Sequence, residues 1–264
     1  IHVVDGSFIG GSAANEDWSA NHSDLRIDAG ASFQGVEANV RVNSLTGAGM
    51  LTTGLNGAGY QTFTIGVDGG DSFFTGLIAD SGAIGGFGSG NLTKVGAGIL
   101  TLTGANTYSG GTTLLDGALQ AGNDLAFGTG TLTLASGRLS SDSTTARTLA
   151  NDILVGGNLT LGDAVNNGAL TISGTVDLGS ITRTLTTPSD VTLSGTIFGL
   201  AGLTKAGSGT LTLSGANSFG GSATINAGTL VAGAGSLAGT SSIAVNGATL
   251  TATDAREMPA PENV

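Results

Sequence analysis

The stretch Leu92–Gly122 reads LTKVGAGILTLTGANTYSGGTTLLDGALQAG, and Leu203–Gly233 reads LTKAGSGTLTLSGANSFGGSATINAGTLVAG. The two stretches lie 111 residues apart, align without a gap and are identical at 17 of 31 positions. Weaker agreement continues as far as Leu139 and Leu250, which makes the module about 50 residues long. A third, degenerate copy of the repeat, SLTGAGMLTTG, spans Ser44–Gly54. Self-similarity of this kind predicts a fold built from repeated structural units.

Inside the module, apolar and polar residues alternate. Leu100 and Leu102 would point to one side and the threonines to the other, and Leu211 and Leu213 repeat the arrangement. A period of two with many threonines predicts β-strands, whereas the abundant Gly and Thr disfavour helices. Further strands are predicted at Leu25–Ile27, Val40–Val42, Phe63–Val67, Ile153–Val155, Leu159–Leu161, Leu170–Ile172 and Val191–Leu193.

The spacing of these strands favours an all-β, parallel β-helix (β-solenoid) over a sandwich or a barrel. Turn residues recur without regular Asn-Gly hairpin loops, and aromatic residues make up only 5% of the chain. The inward residues are Leu, Ile, Val and Ala, which stack well on copies of themselves. With roughly 20–25 residues in each coil and about 4.8 Å between coils, the chain would form about 11–13 coils in a rod of roughly 50–60 Å.

Composition excludes several classes of protein. The chain of 264 residues has 48 Gly, three Pro, no Cys and 39% hydrophobic residues, so it is neither disordered nor disulfide-bonded, and it has no thiolate for zinc. A net charge of −11 makes nucleic acid a poor partner. No run approaches 18 apolar residues, so no transmembrane segment is predicted. Because Ile1 follows no signal-like segment, we expect either a processed chain or a fragment.

Three regions are predicted. Residues 1–22 would form an atypical N-terminal cap or contact segment, residues 23–254 the β-helix with modules at about 91–140 and 202–251, and residues 255–264 a C-terminal tail. Possible self-contacts are Trp18 and His22 in the first region and Pro259 and Pro261 in the tail.

The repeated stretches resemble the autotransporter-associated β-strand repeat, which occurs in passenger domains of bacterial autotransporters and in other large bacterial surface proteins. The resemblance implies a right-handed parallel β-helix, export, and a secreted or cell-surface location. It implies no particular activity, since passenger stems carry adhesins, proteases and esterases alike. The residues that define the repeat are Lys94, Gly96, Gly98, Leu100, Leu102, Asn106 and Tyr108 in the first copy, and Lys205, Gly207, Gly209, Leu211, Leu213, Asn217 and Phe219 in the second.

Each polar or aromatic residue of the repeat admits two interpretations. Lys94 and Lys205 are predicted to be outward turn residues that discourage edge pairing, with a binding cation as the alternative. Asn106 and Asn217 would be turn amides. The aromatic residues that follow two positions later would cover a coil corner or, alternatively, form a stacking platform for sugars.

Catalytic and metal sites find little support in the sequence. A Ser-His-Asp site would depend on His2 or His22, and GFGSG (residues 86–90) is followed by no helix pattern. Acidic turns at Val67–Asp71 and Asn123-Asp124 are predicted to be turns with Asx hydrogen bonds, with a calcium site as the weaker alternative. No cofactor is predicted. A pair of Asp carboxylates in a β-helix cleft, acting on polysaccharide, stays open as an alternative.

The sequence therefore predicts a non-enzymatic extracellular β-solenoid for cell-surface adhesion or a biofilm matrix, with host or matrix surface ligands and homotypic contacts, end-to-end or lateral. The alternative is a subunit of an extracellular fibre that assembles by head-to-tail stacking, because solenoid ends present unpaired backbone groups.

Overall fold

A computed structural model describes residues 1–10, 18–35, 39–54, 62–81 and 88–253. This part of the chain forms short β-strands and contains no α-helix. The strands are β1 (His2–Val3), β2 (Ser7–Gly10), β3 (Leu25–Ile27), β4 (Ser32–Gly35), β5 (Val40–Val42), β6 (Leu45–Gly47), β7 (Met50–Thr53), β8 (Thr62–Ile65), β9 (Ser72–Phe74), β10 (Leu77–Asp80), β11 (Asn91–Lys94), β12 (Ile99–Leu102), β13 (Thr112–Leu114), β14 (Ala118–Ala121), β15 (Leu132–Leu134), β16 (Arg138–Ser141), β17 (Arg147–Leu149), β18 (Ile153–Val155), β19 (Leu159–Leu161), β20 (Leu170–Ile172), β21 (Val176–Asp177), β22 (Arg183–Thr186), β23 (Val191–Leu193), β24 (Ile197–Phe198), β25 (Leu203–Ala206), β26 (Thr210–Leu213), β27 (Ala223–Ile225), β28 (Thr229–Ala232), β29 (Ile243–Val245) and β30 (Thr249–Ala252).

The strands stack into four parallel sheets that wind around one core. Sheet A has twelve strands, in the order β1-β3-β6-β9-β12-β14-β16-β19-β22-β25-β27-β29. Sheet C has eight (β5 to β24), sheet B has four (β2-β4-β7-β10) and sheet D has six (β17-β20-β23-β26-β28-β30). In the described residues each turn has strands in two or three of these sheets, in the chain order C, A and then B or D: the first two turns use only A and B, and the last two use only A and D. The parallel β-solenoid of about 11 turns is thereby confirmed.

Inward side chains form continuous columns because the register places the same residue class on successive coils. In sheet C one column runs Phe63, Leu92, Thr112, Leu132, Ile153, Val176 and Ile197. All of these residues are buried. Each apolar side chain therefore packs on its neighbours above and below, and burial of this area stabilises the stack.

Coil length varies outside the repeated modules and is nearly constant inside them. Paired residues are separated by as few as 18 positions (Ser32 to Met50) and as many as 29 (Thr62 to Asn91). Within the second module the separation is 20 (Leu203 to Ala223). The module thus sets a regular coil, and the remaining segments accommodate longer turns.

The two copies of the repeat lie on different faces of the solenoid. Leu92 of the first copy lies in sheet C, whereas Leu203 of the second lies in sheet A. Counting along the sheet C column, five coil steps lead from Leu92 to Ile197, and Leu203 begins the next face. The repeat sequence therefore specifies a coil but not the face on which that coil begins.

The first coil already extends two sheets of the solenoid. β1 pairs with β3 in sheet A, and β2 pairs with β4 in sheet B. Phe8 stacks on the buried Phe33 with ring centroids 5.3 Å apart, and Trp18 meets Phe33 edge-on at 6.1 Å. These aromatic rings close the N-terminal end of the core.

Candidate functional site: the repeated module

The lysine of each repeat is buried and donates to backbone carbonyls. The Nζ atom of Lys205 lies 2.9 Å from the oxygen of Ala206, 2.8 Å from that of Gly207 and 3.1 Å from that of Ala227 on the next coil. Lys205 is only 1% exposed. The ammonium group, a donor of three hydrogen bonds, thus finds three acceptors in a turn whose carbonyls point inward.

Lys94 repeats this arrangement in the first copy. Its Nζ atom lies 2.7 Å from the oxygen of Val95, 2.6 Å from that of Gly96 and 3.5 Å from that of Asp116. The prediction that both lysines point outward is therefore wrong. An inward position follows from the strand period, since Leu, Thr and Lys at successive positions place Leu and Lys on the same side. The burial cost of the cation is offset by hydrogen bonds to the turn.

Burial lowers the pKa of both lysines. The pKa of Lys205 falls to about 8, because burial penalises the charged form. The pKa of Lys94 is also lowered by burial, but the carboxylates of Asp116 and Asp71 oppose the shift. Ala227 stands where the first copy has Asp116, so Lys205 lacks one of the two carboxylates.

These shifts predict a rise in stability with pH. Between about pH 8 and about pH 10 the unfolded chain, with lysines of ordinary pKa near 10.4, binds a proton that folded Lys205 has lost, so the free energy of unfolding increases. Urea unfolding of the parent and Lys205→Met at about pH 7.5 and 9.5 tests this. The gap in stability between the two proteins should widen with pH, and a constant gap would contradict the assignment. Above about pH 10 the free energy of unfolding of both proteins should fall with pH, because burial raises the pKa of Tyr108. The unfolded chain then loses a proton that folded Tyr108 keeps.

The asparagine of each repeat bridges three successive coils, at a position where its own coil has no strand. The Oδ1 atom of Asn217 accepts from the Ile197 N–H at 2.8 Å, and its Nδ2 donates to the Ser236 oxygen at 3.0 Å. Asn106 does the same between Ile78 N–H (2.8 Å) and the Ala126 oxygen (2.6 Å). Both amides are buried. One side chain thus replaces the ladder bonds that a strand would make.

The aromatic residue two positions later fills the core at the same corner. Tyr108 and Phe219 are 0% and 1% exposed. The Tyr108 hydroxyl is hydrogen-bonded to the Thr112 hydroxyl at 2.5 Å. Both rings are buried, so each packs within the solenoid and neither presents a platform to a sugar. The corner interpretation accounts for their position.

The glycines after each lysine allow adjacent coils to approach. Gly96 and Gly207 have φ angles of +66° and +80°, which side chains rarely adopt. A Cβ atom at Gly98 would lie 2.5 Å from the Gly69 oxygen, and one at Gly209 would lie 2.3 Å from the Ser189 oxygen. Leu100, Leu102, Leu211 and Leu213 are buried on the same coils.

The predicted self-contact residues lie at the first coils or outside the described residues. Trp18 packs against the core at Phe33, and the Nδ1 atom of His22 lies 2.5 Å from the Asp68 carboxylate. Pro259 and Pro261 lie outside the described residues. Their role in self-contact stays a prediction.

The acidic turns form hydrogen bonds within the fold. The Oδ1 atom of Asn43 accepts from Asp68 N–H and Gly70 N–H, and that of Asn123 accepts from Leu125 N–H. In residues 1–10, 18–35, 39–54, 62–81 and 88–253, no group of three or more His, Asp or Glu side chains could hold a metal ion. The same described ranges contain no helix long and apolar enough to cross a membrane.

One feature of the outer surface was not predicted, namely the exposed ring of Phe73. SFF at β9 places two aromatic residues on one strand, and period two puts Phe74 inside and Phe73 outside. Phe74 is fully buried and Phe73 is 55% exposed. An aromatic residue at an outward position was the available signal.

Comparisons with known proteins agree with this geometry. The model of a family described as the passenger-associated-transport-repeat matches residues 92–121 and 203–232. The chain is also 36% identical over 149 residues, 54% of its length, to a protein named adhesin BmaC autotransporter from Brucella suis biovar 1 (strain 1330). The match spans 4% of that protein. No solved structure gives a significant match.

The matched segments correspond to the structural unit described above. Each segment begins two residues before the buried lysine, continues through the Leu-Thr-Leu strand and the bridging asparagine, and ends in the strand of the next coil. The chain therefore contains two segments similar to the passenger-associated-transport-repeat, set in a parallel β-solenoid, and it resembles an autotransporter passenger in these respects.

Proposed function

We propose that this chain is an adhesive module of an extracellular bacterial surface protein, without catalytic activity of its own. The main support is the similarity to a protein named as an adhesin, together with a stiff scaffold that displays polar side chains in register. The location, secreted or at the cell surface, rests on the same similarity.

The outer faces carry ordered ladders of threonine. In sheet C, Thr64, Thr93, Thr113 and Thr133 are aligned on successive coils. In sheet D, a second ladder is formed by Thr148, Thr171, Thr192 and Thr212. Hydroxyl groups spaced about 4.8 Å apart offer many equivalent weak contacts, and simultaneous contacts raise the overall affinity.

Coated beads test the proposal. Latex beads carrying the folded chain should be retained on cultured epithelial cells or on extracellular matrix under flow, several-fold above beads that carry serum albumin or the urea-unfolded chain. Equal retention of all three would exclude an adhesive role on these surfaces. Release of shortened products from plant or bacterial polysaccharide by the same chain would contradict the absence of catalysis.

A second candidate function is a fibre subunit, and the two end coils favour it. At one end of the described residues, β1 and β2 are the outermost strands of sheets A and B, with Val4–Gly6 between them. At the other end β29 and β30 form the edges of sheets A and D, again with three residues, Asn246–Ala248, between them. The two edges therefore match in turn length, and in the proposed fibre a second copy would extend the ladder. Negative-stain microscopy over a concentration series would show filaments, whereas short rods throughout would reject this candidate.

A further inference from the structure

A trench crosses the corner between sheets A and B near the N-terminal end. Its floor is Gly47-Ala48-Gly49, the last residue of β6 and the two residues that connect it to β7. A Cβ atom at Gly47 would lie 2.0 Å from the Ile27 oxygen, and one at Gly49 would lie 2.4 Å from the Ile27 Cγ2 atom. This coil must therefore be free of large side chains at its corner, which leaves a depression one coil high.

The two neighbouring coils provide the walls of the trench. Arg26, Thr46 and Phe73 occupy one register position on three successive coils, so Arg26 and Phe73 flank the floor about 10 Å apart. The part nearer sheet A has a volume of about 460 Å³, and its lining includes Asp28 and Thr75. It continues over Ala48 into a space of about 360 Å³ beside Ser32, Met50 and Leu77.

The polar wall is held in place and carries no net charge. The Arg26 Nε donates to Asp28 Oδ1 at 2.7 Å, and His2 Nε2 lies 2.8 Å from Asp28 Oδ2. The hydrogen bonds from Arg26 and His2 lower the pKa of Asp28, so the carboxylate stays charged and paired with the guanidinium. The Arg26 side chain is 60% exposed, and its Nη groups are directed by a fixed Nε.

The opposite wall is apolar. Phe73 is 55% exposed and Leu77 is 37% exposed, and Thr75 lies between them. Backbone groups at the floor are already used, because Ala48 and Gly49 N–H donate to the Ile27 oxygen, and the oxygens of Gly47 and Gly49 accept from Thr75 and Leu77 N–H. An added β-strand therefore finds no ladder here. A ligand must be recognised by side chains.

We propose that this trench binds a pyranose ring of a neutral oligosaccharide. The apolar C–H face of the sugar would lie against the Phe73 ring, and its hydroxyls would meet the Arg26 Nη groups. One sugar hydroxyl would also donate to Thr75 Oγ1, whose own O–H donates to the Gly47 oxygen at 3.2 Å. A neutral ligand fits because the Arg26–Asp28 pair cancels in charge, and an amphipathic, flat ring fits one apolar and one polar wall. This inference rests on the adhesive function proposed above and gives it a ligand class.

Saturation-transfer NMR on the whole chain tests the proposal. The probes are neutral oligosaccharides of glucose, galactose, mannose and N-acetylglucosamine, with sialyllactose as a charged comparison. We expect at least one neutral probe to bind, and Phe73→Ala to weaken that binding about tenfold. Phe73→Trp should restore it. Phe198→Ala removes another half-exposed ring, on sheet C, and should leave the affinity unchanged. Thermal unfolding of each variant controls for folding.

The outcomes separate the trench from the adhesive function. Absence of binding by every neutral probe, or equal binding by the parent and Phe73→Ala, overturns the trench proposal. Full bead retention by Phe73→Ala leaves the adhesive function in place and removes the trench as its basis. A parent chain that binds a sugar in the trench but shows no bead retention supports the site and overturns the adhesive function.

Discussion

Lys205→Met is expected to lower the free energy of unfolding by about 3 kcal/mol. Methionine fills a similar volume but donates no hydrogen bond, so the oxygens of Gly207 and Ala227 lose the donor that they share in the folded chain. Ala206 oxygen keeps its bond from Thr187 N–H. Removal of a buried cation offsets part of the loss, which is why the expected cost stays below the full cost of two orphaned acceptors.

Urea unfolding followed by far-ultraviolet circular dichroism measures this cost. Thr204→Met is the matched control, since it places the same side chain on the outward side of the same strand, where residue 204 is half-buried. We expect that control to change stability by less than about 0.5 kcal/mol. Similar small effects of both variants would show that the lysine is a dispensable surface residue after all.

The first copy provides an independent test of the same contact. Lys94→Met should cost about as much as Lys205→Met, because Lys94 Nζ meets the same kinds of carbonyl. The two lysines lie about five coils apart, beyond the range over which substitutions usually interact. The double variant should therefore show the sum of the two losses, or two separate transitions if the coils unfold in blocks.

Strand positions were predictable because period two is a local property. Six of the seven strands predicted outside the module, such as Leu25–Ile27 and Val191–Leu193, have the same bounds in the structure. The seventh, predicted at Phe63–Val67, is Thr62–Ile65. It ends earlier because Gly66, with φ of +98°, begins a turn.

The orientation of the lysines was mispredicted, because a charged side chain usually points outward even where the strand period places it inside. The Leu-Thr-Lys pattern alone puts Lys94 beside Leu92 on the inner face, and only the usual cost of burying a cation argued against this. That cost is met by carbonyls of Val95 and Gly96, which become acceptors only once the turn is formed. Carbonyls that surround an ammonium group in this way cannot be recognised from residue types. The presence of lysine at the same position in both copies was the available signal.

The sequence also does not predict that the two copies of the repeat lie on different faces of the solenoid. The cause is the coil lengths between the copies, for example 26 residues from Leu159 to Leu185 against 20 from Leu203 to Ala223. The additional residues of a longer coil lie in surface turns, so the columns of inward side chains stay in register. The trench beside Phe73 depends in the same way on which coils become neighbours, and this is fixed only by the register.

Gly209→Ala is expected to destabilise the chain by about 3 kcal/mol, as overpacking between rigid elements does at its upper range. An added Cβ atom would lie 2.3 Å from the Ser189 oxygen and 2.6 Å from its carbonyl carbon, and both atoms belong to the backbone of the preceding coil. Because backbone cannot rotate away as a side chain would, the two coils must separate at this point. The hydrogen bond from Gly209 N–H to the Thr187 oxygen, 2.8 Å long, would then weaken.

Gly220→Ala is the matched control in the same copy of the repeat. A Cβ atom there meets nothing within 4 Å, and Gly220 has no positive φ. The control should be neutral or slightly stabilising, since alanine restricts the unfolded chain more than glycine does. Both variants are compared by urea unfolding, as for the lysines.

If Gly209→Ala proves as stable as Gly220→Ala, the coils cannot approach as closely as described, and the repeat glycines serve only the conformation of the turn. A large difference between the two variants would instead show that the spacing of Lys205, Gly207 and Gly209 encodes the close contact of one coil with the next.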